Sequence, residues 1–193
     1  MKRLALLAFA AVGALSAQSA VAAGLVWLTA SQSEVQVGDV VEIQYWWDFR
    51  PTGVFGGGVD IFFDPTVLEF ATVEFDTSGA LEPGFSTVLY PTEPPAGDSA
   101  VTVAAGNFAG VWGPLQVATL SFLATSAGLV DITVATTAVD VVGGFCDLPN
   151  CDRIEPDYSG TTVHVRPVPI PPMLWPFALA LAALARCRSL PAP

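Results

Sequence analysis

Gly-Gly-Gly-Val-Asp-Ile-Phe-Phe-Asp-Pro-Thr-Val-Leu-Glu-Phe-Ala-Thr-Val-Glu-Phe, residues 56–75, is the stretch that decides the fold. Its first half alternates between a core face and an outer face, which is the pattern of a half-buried strand. Asp64-Pro65 ends that strand, because proline has no N–H for the ladder and fixes its own φ. A second strand starts at Val67, so the sequence predicts two core strands joined by a tight corner at Asp64 and Pro65. The predicted core-face residues are Val59, Ile61 and Phe63, and the outer-face residues are Asp60, Phe62 and Asp64.

Short alternating segments continue from Gly24 to Arg166, separated by Gly, Pro, Asp and Ser, with no amphipathic helix between them. This spacing predicts an all-β fold, and about nine strands favour a two-sheet jelly-roll β-sandwich over a seven-stranded immunoglobulin type. In the clearest strand, the alternation places Trp47 in the core and Trp46 outside. The predicted flanking strands are Leu25–Ala30, Glu34–Val37, Val40–Phe49, Phe85–Tyr90, Ala100–Phe108, Leu115–Ala124, Leu129–Val142 and Thr161–Arg166.

The charge of the predicted domain excludes several classes of partner. Between Gly24 and Arg166 all 18 acidic residues face only three arginines, so the net charge is 3 − 18 = −15. Such a surface repels phosphate groups, which argues against nucleic acid and anionic lipid as ligands. A span of this length suffices for one core, so we expect one domain.

The N-terminus has the pattern of a secretory signal peptide. A basic start at Met1-Lys2-Arg3 precedes an apolar run from Leu4 to Leu15, and small residues near Ala22 form a cleavage site. We therefore expect residues 1–23 to be a signal peptide and the β-sandwich to span residues 24–166. Export also places the cysteines in an oxidising compartment.

The three cysteines divide into a pair and a single residue. Cys146 and Cys151 bracket a small polar loop, so we expect them to form a disulfide. A ring this small adds only about 2 kcal/mol by loop-closure entropy, which fixes a loop but does not support the fold. Cys187, beyond the C-terminal apolar segment, has no predicted role.

Acidic residues are concentrated in and just after the cysteine loop. Oxygen ligands of this kind could bind Ca²⁺, but the spacing lacks the EF-hand pattern, so a solvated acidic loop is the alternative interpretation. The one histidine, His164, has no ligand partner at metal-binding spacing and is interpreted as solvated. The candidate calcium ligands are Asp147, Asp152, Glu155 and Asp157.

Three aromatic residues are candidate ligand contacts. Trp46 and Phe62 alternate away from the core on their strands, and Trp112 lies in a Gly-x-Trp-Gly-Pro turn. Aromatic faces stack on sugar rings and anchor protein partners. The alternative is that another strand or loop covers them.

Several motifs stand out along the chain, namely Val37-Gly38-Asp39, Phe63-Asp64-Pro65, Val67-Leu68-Glu69-Phe70, Val117–Phe122, Ser126-Ala127-Gly128 and Val130–Val134. Together they resemble the cohesin family, whose topology could place the strands of Trp46 and Phe62 in one sheet. The resemblance implies a nine-stranded jelly roll, related to carbohydrate-binding modules, that docks other proteins through the outer face of one sheet. In dockerin-binding cohesins, polar side chains just ahead of the Asp-Pro strand contact the partner. This chain has glycine at 56, 57 and 58, so these positions do not predict a dockerin partner.

The C-terminal residues 167–193 resemble a PEP-CTERM sorting signal in its Val-Pro-x-Pro form. A proline-rich spacer precedes 13 apolar residues, Met173–Ala185, and the basic cluster Arg186-Cys187-Arg188. As a helix this segment would span about 20 Å, shorter than a hydrocarbon core of about 30 Å. We therefore expect a transient membrane contact that a processing enzyme removes. The alternative is a buried C-terminal helix.

The sequence as a whole favours a non-catalytic recognition module at the cell envelope, cell surface or outside the cell. Its ligand would be a polysaccharide or a surface protein, bound by an outward sheet face. A structural component of an extracellular matrix is the alternative. A glycan-processing enzyme is a third possibility, since the many carboxylates could include a catalytic pair, although no nucleophile motif is present.

Overall fold

The computed structural model describes residues 24–76, 78–92, 99–137 and 144–169. The predicted signal peptide and the predicted C-terminal apolar helix lie outside these residues. Within the described ranges, no helix has both the length and the apolar character needed to cross a membrane.

The described residues form thirteen strands, of which four have only two or three residues. The other nine have six or more residues, and the short β2 lies within the predicted strand Glu34–Val37. One 3₁₀ turn, Pro83–Phe85, precedes β6. The strands are β1 Leu25–Ala30, β2 Glu34–Gln36, β3 Val40–Asp48, β4 Val54–Phe63, β5 Leu68–Phe75, β6 Thr87–Thr92, β7 Ser99–Val111, β8 Leu115–Ala124, β9 Gly128–Thr136, β10 Phe145–Asp147, β11 Arg153–Ile154, β12 Asp157–Ser159 and β13 Thr161–Arg166.

Two sheets pack face to face, which confirms the predicted all-β jelly-roll sandwich. The five-stranded sheet has the order β12-β1-β3-β8-β5. The eight-stranded sheet has the order β11-β10-β4-β9-β13-β2, with β7 also paired to β4 and β6 paired to β7. Two pairings are parallel, β1 with β12 and β13 with β2.

The core is built from the inner faces of both sheets, as the alternation predicts. Tyr45, Trp47 and Phe49 are fully buried on β3 and its end. The Phe145 ring of β10 packs on Trp47 and Phe49, with centroids 5.1 and 4.8 Å away. The predicted core residues of β4, Val59, Ile61 and Phe63, are also buried.

The Asp64-Pro65 corner carries the chain from one sheet to the other. Asp64 accepts hydrogen bonds at its side chain from the amide and hydroxyl of Thr66, at 2.8 and 2.6 Å. Its carbonyl accepts from the amides of Val67 and Leu68. The two core strands on either side, β4 and β5, therefore lie in different sheets.

Three short strands, β10, β11 and β12, lie where the sequence suggested only an acidic loop. Strand β6 also begins later than expected, at Thr87, because Pro83 starts a 3₁₀ turn that ends at Phe85. Of these short strands, β10 pairs with β4 and β12 pairs with β1, whereas β11 pairs with its neighbour β10.

Candidate functional site

A pair of indole rings stands on the outer face of the five-stranded sheet. Trp27 of β1 and Trp46 of β3 are direct cross-strand neighbours. Their rings are stacked with centroids 5.9 Å apart and an interplanar angle of 10°. Both side chains are half-buried, whereas Trp47, on the opposite face of β3, is fully buried. Trp46 therefore faces outward, and Trp27 is a partner that the sequence reasoning did not identify.

Polar side chains border the Trp27–Trp46 pair on the same face. The β3–β8 ladder shifts register at Tyr45 and Trp46, which places Gln116 opposite Trp46. The Gln116 amide donates a 2.8 Å hydrogen bond to the hydroxyl of Thr119. The next outward residue on β3 is Gln44. These amide and hydroxyl groups can both donate and accept hydrogen bonds.

A cleft of about 550 Å³, with both polar and apolar residues in its wall, lies at the end of the same face. Leu25 pairs with Asp48 on one side and Asp157 on the other, so β1 brings the two carboxylates to one edge of the cleft. Arg50 and Pro51 complete the wall together with Gly24. The cleft and the Trp27–Trp46 pair therefore form one continuous surface.

Asp48 and Arg50 form a bidentate ion pair in this cleft. The guanidinium donates from Nη2 and Nε to the two carboxylate oxygens, at 2.6 and 2.9 Å. These bonds lower the pKa of Asp48 and raise that of Arg50. The carboxylate is therefore held ionised, while the exposed guanidinium can still donate to a ligand.

Phe62 does not belong to this surface, which corrects the expectation that it shares a sheet face with Trp46. Phe62 lies on β4 in the eight-stranded sheet, opposite Ala100 and Thr133 on the neighbouring strands. Between β3 and β4 the chain crosses from one sheet to the other, so residues on their outer faces point in opposite directions. Phe62 is also half-buried.

Trp112 lies in the loop between β7 and β8, beside the loop that carries Arg50. Its carbonyl accepts a hydrogen bond from the amide of Phe49 at 2.6 Å. Its ring lies so close to Gly53 that a Cβ there would be 2.6 Å from the indole nitrogen. The side chain remains 44% exposed.

The outer side of β4 and β7 is buried around Asp60. Asp60 is only 7% exposed and accepts a 2.6 Å hydrogen bond from the hydroxyl of Thr102, which is itself buried. The alternation correctly placed Asp60 on the outer side of β4. The expectation that this outer side is in contact with solvent is wrong at Asp60. Ala100 and Ala104 on the same side are buried as well.

Close packing explains the glycines in the first half of β4. A Cβ at Gly56 would approach the carbonyl oxygen of Ala105 to 2.6 Å, and one at Gly57 would approach the Phe145 ring to 2.4 Å. Both positions thus require glycine for close packing between neighbouring strands.

Two of the acidic residues in and after β10 accept hydrogen bonds, one from a backbone amide and one from a neighbouring side chain. Asp147 accepts from the amide of Asp152 at 2.8 Å and so closes the β10–β11 turn. Glu155 accepts from the hydroxyl of Thr136 at 2.5 Å, and Asp157 lies in β12. The described residues contain no group of three or more His, Cys, Asp or Glu that could hold a metal ion, so these acids do not assemble into a calcium site.

The predicted disulfide between Cys146 and Cys151 is present and closes the β10–β11 hairpin. Its residues also line an apolar cavity of about 530 Å³ on the eight-stranded sheet. His164 is exposed on β13, 4.0 Å from Glu34.

The described sandwich has the fold of cohesin modules. A cohesin module from a family 33 glycoside hydrolase of Clostridium perfringens gives a TM-score of 0.58 at 15% identity, covering 76% of this chain and 99% of that module. The sixth cohesin of scaffoldin B from Acetivibrio cellulolyticus, solved with a Cel5 dockerin, gives 0.57 at 13% identity, covering 74% and 99%. A non-cellulosomal cohesin from the archaeon Archaeoglobus fulgidus gives 0.52 at 14% identity, covering 75% and 92%.

No protein-family model and no curated protein matches the chain. The similarity to solved structures therefore shows the cohesin fold, which agrees with the resemblance in the sequence motifs.

Proposed function

We propose that this protein is a non-catalytic recognition module that binds a polysaccharide on the outer face of its five-stranded sheet. The observation that supports this most directly is the stacked Trp27–Trp46 pair on the outer face of this sheet, next to the polar side chains of Gln44 and Gln116. Sugar rings have apolar faces that stack on aromatic rings, and the large indoles provide most contact area for this purpose.

The polar surroundings supply the second part of sugar recognition. Gln116 and Thr119 border the indoles, and Asp48 and Arg50 line the adjoining cleft. Hydroxyl groups of a sugar need both donors and acceptors, and this set offers both. The acidic net charge further favours a neutral polymer over an anionic one.

The lowered pKa of Asp48 favours a role in binding over a role as a general acid. Glycoside hydrolysis requires a general acid whose pKa is raised. Asp48 and Asp157 both line the cleft, but the hydrogen bonds from Arg50 lower the pKa of Asp48. Asp48 is therefore suited to accept hydrogen bonds from a ligand and unsuited to protonate a leaving group.

Affinity measurements with neutral polysaccharides test the proposal. The purified protein is titrated with soluble polymers and co-sedimented with insoluble ones, in parallel with Trp27→Ala and Trp46→Ala. Each substitution should weaken binding by about tenfold or more, since a central aromatic contact is removed. Phe108→Ala, on the other sheet, is the matched control and should bind like the parent. Absence of binding to every polymer, or unchanged binding by both tryptophan variants, contradicts the proposal.

A protein partner is the second candidate. It is supported by the similarity to cohesin modules, one of which was solved with a dockerin. On β4, Gly56 and Gly57 have no side chains to offer, and Asp60 is buried. A protein ligand would therefore also use the Trp27–Trp46 face, and it would be recovered from a surface fraction by the parent protein but not by Trp46→Ala.

We also propose that residues 1–23 export the chain and that residues 167–193 retain it at the cell envelope until a processing enzyme acts. Deletion of residues 167–193 should move the protein from the envelope fraction to the medium in cell fractionation.

A structural role in an extracellular matrix would instead appear as self-association of the purified protein that persists in Trp46→Ala.

A further inference from the structure

The apolar cavity on the eight-stranded sheet is separate from the Trp27–Trp46 face and differs from it in chemistry. It measures about 530 Å³, within the range of small-molecule sites. Strands β4 and β7 form part of its wall, the 3₁₀ turn contributes Phe85, and the hairpin contributes Cys146 and Cys151. The cavity therefore lies where four separate segments of the chain meet.

The lining of this cavity has no charge to offer a ligand. Among the described lining residues none has an ionisable side chain, since the two cysteines are joined in a disulfide. The one side-chain amide, Asn107, donates to the carbonyl of Ala80 at 3.2 Å and accepts from the amide of Ala109 at 2.8 Å. A charged or strongly polar ligand would lose its hydration here without replacement hydrogen bonds.

Part of the wall consists of residues with little or no side chain. Gly56, Gly57 and Ala104 line the cavity, and the two glycines cannot become larger because a Cβ would collide with Ala105 or Phe145. Because the packing of β4 against Ala105 and Phe145 allows no larger side chain at these two positions, the cavity beside them stays open.

Two exposed phenylalanines border the cavity. Phe85 is 42% exposed and Phe108 is 68% exposed, and their rings meet edge to face at 4.3 Å. Aromatic rings in this arrangement present both edges and faces to a third ring. The exposure of two neighbouring rings at the border of an apolar cavity is typical of a ligand site.

We propose that this cavity binds a small, uncharged aromatic molecule through contacts with Phe85, Phe108 and the glycine and alanine wall. The size of the cavity, the absence of charge in its described lining and the paired rings all favour a ligand of this class. This site is independent of the proposed polysaccharide surface.

Solution NMR with indole as the probe tests this site in the full chain. Indole should produce saturable shifts in the methyl signals of Ala104 and Ala105. The double variant F85A/F108A should weaken this binding by about tenfold or more, because two aromatic contacts are removed. Leu129→Ala is the matched control, since Leu129 is 70% exposed and does not line the cavity.

Trp46→Ala should bind indole like the parent, which separates failure of this proposal from failure of the proposed polysaccharide site. Ala104→Leu, which reduces the cavity from within, should also weaken indole binding and provides a second test if the double variant does not fold. Absence of saturable shifts overturns the proposal, as does unchanged binding by folded F85A/F108A or Ala104→Leu. Binding only of peptides that carry an aromatic side chain, and not of free indole, also overturns it.

Discussion

Asp64 shows how one side chain can fix a change of sheet. Its carboxylate accepts two hydrogen bonds from Thr66, and these bonds lower its pKa below the ordinary value of 3.8. The turn of the chain thus depends on local hydrogen bonds between neighbouring residues, which explains why the sequence alone revealed it.

Asp64→Ala should destabilise the protein by about 1 kcal/mol, because the hydrogen bonds that hold the corner are lost. Since the folded pKa is depressed, this contribution is present at neutral pH and disappears as pH falls below about 4 and through the folded pKa. Urea denaturation at pH 7 and at low pH measures the effect. The gap between parent and variant should narrow in acid, and a gap that widens contradicts the assignment. Glu69→Ala, exposed on β5, serves as the control.

Gly57→Ala tests whether glycine is required by packing. The new methyl group would meet the buried Phe145 ring, and such overpacking should cost about 1–3 kcal/mol. The matched control is Gly84→Ala, where nothing lies within 4 Å of the added Cβ. Thermal or urea unfolding of both variants measures the difference. Equal stability of the two would show that the strands can move apart at little cost.

At the scale of elements, the bounds of long strands could be predicted from the alternation of their residues, whereas the pairing of strands could not be predicted. The bounds of β1, β8 and β13 agree with the sequence prediction, because each alternates over six or more residues. The short strands β10, β11 and β12 were missed, since two or three residues contain no period, and β10 and β12 are paired with strands that are distant in sequence.

Substitution of the two neighbouring tryptophans of β3 distinguishes a residue that stabilises the fold from a residue proposed to bind ligand. Trp47→Ala should lower the free energy of unfolding by about 3–5 kcal/mol, because it empties the centre of the core. Trp46→Ala loses only a cross-strand pair, which should cost about 1 kcal/mol or less. Denaturant unfolding compares them directly. If Trp46→Ala proves as destabilising as Trp47→Ala, loss of ligand binding in that variant could not be assigned to a missing contact.

The disulfide should stabilise its hairpin without being needed for the sandwich. The ring closed by Cys146 and Cys151 is small, so the double variant C146S/C151S should lose about 2 kcal/mol. Phe145 remains in the core next to it, so cooperative unfolding should persist. Calorimetry checks this, and loss of a cooperative transition would show that the bond supports the whole fold.

At the scale of the whole molecule, the assembly of the candidate site could not be derived from local sequence. Trp46 was correctly placed outside, but its stacking on Trp27 depends on β1 being next to β3. The error over Phe62 has the same origin, because alternation assigns a residue to a face and does not say which sheet that face belongs to.

The net charge of the molecule leads to a prediction about salt. If the ligand is a neutral polysaccharide, raising NaCl from about 50 mM to about 500 mM should change affinity by less than about twofold, since no ion pair with the ligand is screened. Binding curves at the two concentrations decide this. A marked loss of affinity in high salt would indicate a cationic ligand attracted to the acidic surface.

The two parallel pairings link the beginning of the described chain to its end. Strand β1 completes one edge of its sheet only with β12, and β2 is held by β13. A nascent chain that stops short of residue 157 lacks β12 and β13, so β2 has no partner strand and β1 is paired only with β3. These two sheet edges can therefore be completed only after most of the described chain has been synthesised, and contacts of such long sequence separation form slowly.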